Sequence, residues 1–193
     1  MLKRLLGLLL VGLAIKLMDD FLDQEKDKAN GQYNLYHMLG KSILPYSLVI
    51  FSFGLYLNLA EGISFFAASY LLGMAHDYHL RLPSGLLAWQ EGLIVFMFST
   101  YLTDLKNSLS ALLLILLLQF IDDLIDFKKD SQYFQANLFK KLGFFNSVLI
   151  MLALTIVAII FYPVKFIYFI TAIILLYLSF EILKIKNRDE HLC

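Results

Sequence analysis

The chain has 193 residues, a length that suits one domain. Hydrophobic residues make up 60% of it and mean hydropathy is +0.71, which excludes an ordinary soluble domain. Formal net charge is zero and no basic stripe is present, so nucleic acid is not an expected partner. The single cysteine, Cys193, excludes an intrachain disulfide framework and a cysteine-based metal site.

The first apolar segment runs over residues 3–23. Lys3 and Arg4 followed by Leu5 to Ile15 have the outline of a secretory signal. No small-x-small cleavage site follows, and Lys16 and Asp19 do, so the segment is read as a retained helix. It ends in Asp19-Asp20-Phe21-Leu22-Asp23-Gln24-Glu25-Lys26-Asp27, with Asn34-Leu35-Tyr36-His37-Met38-Leu39-Gly40 beyond. Further apolar segments follow at 43–60, 62–76, 84–103, 107–127, 144–162 and 164–185. The one at 62–76 is short for a span of about 20 residues, which suggests a tilted or re-entrant course. Breaks are expected at Glu61-Gly62, at Leu82-Pro83-Ser84-Gly85 and at Tyr162-Pro163. The expectation is an all-α, multi-pass membrane bundle of about seven helices, a single integral domain over residues 1–193.

The fifth segment ends as the first does. Asp122-Asp123-Leu124-Ile125-Asp126-Phe127-Lys128-Lys129-Asp130 stands 103 residues after its counterpart, and Asn137-Leu138-Phe139-Lys140-Lys141-Leu142-Gly143 keeps the same offset. The shared pattern D-D-x-x-D-x-x-x-D-x6-N-L-[YF]-x-x-L-G points to an internal duplication, with repeat one over 1–80 and repeat two over 104–185. Helices one to three then pair with five to seven, and the fourth is unpaired, as in a chain shortened from a four-plus-four ancestor.

Eleven lysines and arginines, among them Lys26, Lys28, Lys41, Arg81, Lys128, Lys129, Lys140 and Lys141, fall on the side of the motifs, against Lys3, Arg4, Lys106 and Lys165 on the other. The positive-inside rule puts both motifs on the cytoplasmic side, and the expected location is the plasma membrane of a prokaryote. Lys3 and Arg4 argue the other way, because the first helix often sets the topology.

Positions three and four apart share a helix face, so Asp19 or Asp20, Asp23 and Asp27 align, as do Asp122 or Asp123, Asp126 and Asp130. A lone motif of this kind reads as solvated charge. Two matched ones on the same expected membrane face read as carboxylate clusters whose repulsion is relieved by cations. Magnesium takes oxygen ligands and commonly joins carboxylates to substrate phosphates, so the eight aspartates are the candidate Mg²⁺ ligands around a diphosphate. Lys26, Lys128, Lys129 and, after the third segment, Arg81 are candidate diphosphate contacts.

With these motifs at the ends of helices four apart, the chain resembles the UbiA family of intramembrane prenyltransferases, which carries N-D-x-x-D-x-x-x-D on one helix and D-x-x-x-D on its counterpart. The resemblance covers helices one to seven. It implies two half-bundles around a cavity open to lipid, and Mg²⁺-dependent ionisation of a prenyl diphosphate. The prenyl group then passes to a lipophilic or aromatic acceptor, with cyclisation of the chain, as in membrane terpene cyclases, as the alternative. Asp19, Asp23, Asp122 and Asp126 would be catalytic. Asp19 stands where the family has Asn, and the chain is about a third shorter than family members.

Three other features bear on function. Lys16 lies one turn before Asp20 where repeat two has Gln119, and is expected to pair with Asp20. Gln90 and Glu91 are placed mid-helix in the fourth segment, where Glu91 is a candidate catalytic acid or a partner of Lys16. His76 and His79 have metal-ligand spacing without a clear third ligand. Among rivals, a CDP-alcohol phosphotransferase needs a Gly and an Ala-Arg pair that neither copy has. A divalent-cation transporter needs acids at mid-depth in several helices, a place to which the sequence assigns Glu91 alone.

Overall fold

The computed structural model describes residues 2–29, 34–74, 79–127 and 138–190, without the side chains of Lys26, Ala29, Met74, Asp126 and residues 184–190. The described fold is all-α. Long helices are α1 (Leu2–Leu22), α4 (Ile43–Leu57), α5 (Leu59–Met74), α6 (Ala88–Leu102), α7 (Leu105–Asp126), α9 (Phe144–Phe161) and α10 (Pro163–Glu190). Short ones are α2 (Gln24–Ala29), α3 (Tyr36–Leu39) and α8 (Leu138–Leu142). The β pairing among the described residues is one isolated bridge, Arg81 to Leu87.

Four helical stretches are long and apolar enough to cross a membrane: Tyr36–Leu57, Leu105–Ile125, Phe144–Phe161 and Pro163–Leu183. Outward-facing Phe53, Tyr56, Phe98, Phe161 and Ile167 fit a lipid-facing surface, consistent with an integral membrane protein. The other three long helices are less suited to a span. α5 is apolar but short. α1 carries Lys3, Arg4, Lys16, Asp19 and Asp20, and α6 has 15 residues with Glu91 in its first turn.

Three element boundaries differ from expectation. The break placed at Glu61-Gly62 lies at Asn58, whose backbone leaves the helical region. Asn58 Oδ1 accepts the Glu61 backbone N–H (3.4 Å), so Asn58 caps α5, and N-L-A-E is a capping-box sequence. Gly62 belongs to the helix and lets α4 approach: a Cβ there would lie 2.6 Å from Leu55 Cδ2. The fourth segment becomes helical at Ala88, four residues late, because residues 80–88 close a hairpin turn. Its bonds are Gly85 N–H to Leu82 O (2.8 Å), Leu82 N–H to Leu86 O and Ala88 N–H to Leu80 O (both 2.9 Å), with Gly85 at the left-handed φ of 82° that the turn requires. α10 runs past the apolar segment to Glu190, since nothing in Lys184–Glu190 breaks a helix.

The chain forms two compact units, Met1–Gly62 with Ile167–Cys193, and Ile63–Phe166. Repeat and unit boundaries therefore differ: most of α5 belongs with α6 to α9, and most of α10 with α1 to α4.

In the first unit α1 packs along α4. The approach is close because Gly54 has no side chain: a Cβ there would meet Val11 Cγ2 at 2.7 Å and the Val11 backbone nitrogen at 3.2 Å. Leu17, Leu35 and Ile43 form a buried cluster, with Phe21, Tyr36 and Phe180 against it. At the end away from the motif, Glu61 is buried (3% exposed) and Arg4 donates to its Oε1 from both Nε (2.6 Å) and Nη2. The Arg4 guanidinium also lies 5.5 Å from the Tyr168 ring centre.

In the second unit α7 packs against α6, α8 and α9. Lys165, buried near the start of α10, donates to Ser110 Oγ (2.7 Å) and Asn107 O (3.2 Å) and lies 5.0 Å from the ring centre of buried Phe65. Beside it runs a chain of hydroxyls, Ser64 to Thr103 (3.1 Å) and Thr103 to Ser108 (3.3 Å).

The α1–α4 contact gives the first prediction. Gly54→Val overfills a site bounded by backbone and should destabilise the protein by ~1–3 kcal/mol, read as a lower melting temperature in detergent. Gly73→Ala, where a Cβ meets nothing within 4 Å, should leave it unchanged.

Candidate functional site: two aspartate-bearing helix ends

The first motif occupies the last turn of α1, a bend at Asp23, and α2. Backbone bonds Asp23 N–H to Asp19 O and Asp27 N–H to Asp23 O (both 2.9 Å) carry the helical register through the bend, so Asp19, Asp23 and Asp27 follow one another at successive turns. The second motif occupies the last turn of α7, which ends at Asp126.

The paired aspartates have different surroundings. Asp20 is 4% exposed in its side chain and Asp19 is 59% exposed. Asp20 Oδ2 accepts the Leu35 backbone N–H (2.9 Å), 15 residues on. Its Oδ1 accepts from the Lys16 ammonium at 2.8 Å, and Lys16 also stands 3.6 Å from Asp19 Oδ2. The expected Lys16–Asp20 ion pair is therefore present.

Asn34, fully buried, completes the return of the loop. Its Nδ2 donates to Asp20 O (2.7 Å) and to Asp27 Oδ2 (2.8 Å). Its Oδ1 accepts the Tyr36 N–H at the start of α3 (2.7 Å). The bonds draw Leu35 into the core cluster and set Tyr36 edge-on to Phe21 at 5.9 Å.

The second motif shows the corresponding bond. Asp123 Oδ2 accepts the Leu138 backbone N–H (2.8 Å), again 15 residues on. Phe139 is buried behind it among Phe120, Phe127 and Phe144, at ring-centre distances of 5.7 to 6.2 Å. Gly40 and Gly143, which close the two blocks, both have positive φ, 55° and 83°.

Asp19 and the half-buried Asp23 and Asp27 are thus on one continuous turn sequence, and Asp122 and Asp123 are half-buried in α7. Among the described residues, no three His, Cys, Asp or Glu side chains converge closely enough to hold a metal ion. The side chains of Lys26 and Asp126 and all of Lys128, Lys129, Asp130 and Asn137 lie outside the described residues, as does His76. Arg81 is exposed on the hairpin, and its backbone bridges Leu87.

Glu91 requires a correction. It was placed mid-helix, yet it stands in the first turn of α6. Tyr70 Oη donates to its Oε1 and Ser84 Oγ to its Oε2, while Gln90 Oε1 accepts the Leu87 N–H (3.0 Å). An acid there complements the helix dipole and ties α5, the hairpin and α6 together. The displacement has one cause: the Pro83-Ser84-Gly85 turn holds the preceding residues out of the helix.

Sequence reasoning read Tyr70 only as an aromatic facing lipid or a cavity and Ser84 only as part of a break, and missed their bonds to Glu91. Ser84 carried a signal for that bond, a hydroxyl beside a turn glycine and seven residues before an acid; nothing in the spacing pointed Tyr70 to Glu91. Among the aromatic residues Phe65 is buried, Phe53, Tyr56, Phe98 and Tyr101 face outward, and Phe51, Phe66, Tyr70 and Phe96 are half-buried.

Comparison with protein-family models, with curated proteins and with solved structures returns no match.

The loop bonds generate two predictions. Asp20→Ala and Asp123→Ala each leave a backbone N–H without its acceptor and should cost ~1–3 kcal/mol, whereas Asn at either position keeps an acceptor oxygen and should recover most of the loss in thermal melts. Glu91→Gln keeps an acceptor for one hydroxyl and should lower the melting temperature slightly. It should leave product distribution unchanged in any turnover assay, and a changed distribution would return Glu91 to the catalytic residues.

Proposed function

We propose that this protein is a membrane-embedded, Mg²⁺-dependent enzyme acting on a prenyl diphosphate. In this reading it is a short relative of the UbiA prenyltransferases, with seven membrane-crossing helices in two duplicated halves. The supporting observation is the shared arrangement at the two helix ends: the same aspartates, the same 15-residue return bond to Leu35 and Leu138, and the same glycine stop.

The donor chemistry fits the ion. Carboxylate oxygens at successive helical turns suit Mg²⁺, and in the first motif a cation, the Lys16 ammonium, already stands between Asp19 and Asp20. The geometry also divides labour within the motif. Asp20 and Asp123 each give one oxygen to a backbone N–H and so hold the loop. Asp19, Asp23, Asp122 and Asp126 are the ligands in this reading, with Asp27 and Asp130 acting directly or through water. Bound Mg²⁺ supplies charge neutralisation that makes diphosphate a better leaving group. Lys26, Arg81, Lys128 and Lys129 bind its oxygens as cations. The acceptor is lipophilic, reached from the membrane, and attack by the substrate's own chain, as in a terpene cyclase, is the alternative outcome.

A cation-transport reading loses its main support, because Glu91 lies at a helix start and not at mid-depth.

The test uses purified protein with radiolabelled prenyl diphosphates of several lengths. Diphosphate should be released with Mg²⁺ and not with excess chelator. Asp23→Ala and Asp122→Ala should lower release at least about a hundredfold, in line with the loss of several kcal/mol of charge stabilisation, with unchanged melting temperature. Full activity in either variant, or in chelator, contradicts the proposal. Dependence of release on an added acceptor separates transferase from cyclase.

A further inference from the structure

The hairpin turn between α5 and α6 has an unusual composition for a loop in water. Leu80-Arg81-Leu82-Pro83-Ser84-Gly85-Leu86-Leu87-Ala88-Trp89 holds four leucines and the chain's one tryptophan. Leu80, Leu86 and Trp89 are 51%, 36% and 43% exposed. The turn also bonds its own backbone, through Leu82 N–H to Leu86 O, Ala88 N–H to Leu80 O and Gly85 N–H to Leu82 O. Water satisfies such groups in an ordinary loop, whereas a poorly hydrated layer demands internal partners. Trp89 heads an outward-facing stripe of α6 that continues through Leu93, Met97 and Tyr101, four residues apart. Tryptophan is enriched at that place, the membrane–water interface, in membrane helices.

Helix length supports the same placement. α5 has 16 residues and α6 has 15, so at 1.5 Å per residue they reach about 24 and 22 Å, against ~30 Å of hydrocarbon. Beyond the far end of α6, Asp104 and Lys106 are exposed and mark a polar junction. Measured from there, the pair falls about 6 to 8 Å short of the opposite headgroups, and a span this short draws its connecting turn into the headgroup layer. The charge of the turn is one-sided. His79 and Arg81 are exposed, and no acid stands between His79 and Gln90. Arg81 makes no ion pair among the described residues. Glu91, the next acid along the chain, has its two oxygens bonded by the Tyr70 and Ser84 hydroxyls. The bridge from Arg81 to Leu87 sets Arg81 across the hairpin from a residue two before Trp89.

We propose that this hairpin is a lipid site: it lies in the headgroup layer, with Leu86 and Trp89 against acyl chains and the Arg81 guanidinium on the phosphate of an acidic phospholipid. A guanidinium offers phosphate two parallel N–H donors, and an anionic leaflet attracts it further. The bonds of Tyr70 and Ser84 to Glu91 tie the hairpin to α5 and α6, so that its apolar and basic residues keep one depth. The site does not depend on the Mg²⁺ reading above. In that reading Arg81 meets a substrate diphosphate, the other source of the same chemistry.

Trp89, as the chain's one tryptophan, reports on the hairpin by itself. The full-length protein is reconstituted in phosphatidylcholine vesicles that contain, at equal mole fraction, either brominated phosphatidylcholine or brominated phosphatidylglycerol, with Mg²⁺ present throughout. Both brominated lipids should quench Trp89 fluorescence, and iodide in the water should quench it weakly. Phosphatidylglycerol should bind at the site about fivefold more tightly, the factor expected for one arginine at an anionic surface. Arg81→Gln should bring the two lipids level while bromine quenching persists, which shows the hairpin still folded and in place. An excess of prenyl diphosphate should leave the wild-type preference intact. Strong quenching by iodide with none by either lipid places the hairpin in water and overturns the inference. Equal binding of the two lipids in the wild type, or a preference that survives Arg81→Gln, overturns it as well. A preference that prenyl diphosphate removes overturns it in favour of the substrate contact.

Discussion

A carboxylate at a helix end, accepting a backbone N–H 15 residues further on, is the interaction on which each aspartate motif depends. Asp20 does this for Leu35 and Asp123 for Leu138. A polypeptide leaving a helix has unsatisfied carbonyl groups behind it and free N–H groups ahead. Here the chain returns to the same helix end 15 residues later before the next apolar helix begins, and a buried polar group left unsatisfied there would be expensive. The bond satisfies the first N–H of the returning segment and brings an apolar residue beneath it, Leu35 in one case and the neighbouring Phe139 in the other. Asp19 and the half-buried Asp23 and Asp122 are then carried on helix ends held by that bond, the fixed placement that the proposed cation site would need.

The polar residues elsewhere follow the same logic. Arg4 with Glu61 joins α1 to α5, and Lys165 with Ser110 and Asn107 joins α10 to α7, at the end away from the aspartates. A charge in these positions is costly alone and tolerable when bonded to a neighbouring helix. Glu61 keeps one oxygen, Oε2, that is buried and without a hydrogen-bond partner, so its stabilisation comes through the bidentate contact of Arg4 on the other oxygen. The close approach at Gly54 and Val11 supplies packing between α4 and α1, which matters because lipid offers no hydrophobic drive for one apolar helix to seek another.

Much of this was legible in the amino-acid sequence because apolar length and aspartate spacing are properties of residue type. The helical class and the Lys16–Asp20 pair could be read directly. The repeat also marked Asn34 and Leu35 as important. The division of labour between Asp19 and Asp20 was not legible, because the partner of Asp20 is a backbone N–H, which every residue but proline possesses. Glu91 was misplaced because its apolar context looks continuous from residue 84, while the hairpin bonds that delay the helix depend on the conformation of Gly85. The break at Asn58 was misread for a related reason: glycine next to a charge suggests a turn, yet Gly62 serves close packing and the less conspicuous asparagine caps the helix.

The measurement that bears most directly on the account is hydrogen exchange at the two return segments. If both motifs are built on the same bond, the backbone N–H groups of Leu35 and Leu138 exchange slowly in the wild type. Asp20→Ala then releases protection at Leu35 and leaves Leu138 protected, and Asp123→Ala does the reverse. Rapid exchange at both positions in the wild type, or protection indifferent to either substitution, would contradict a design in which one aspartate of each pair secures the loop and leaves its neighbours for the ligand.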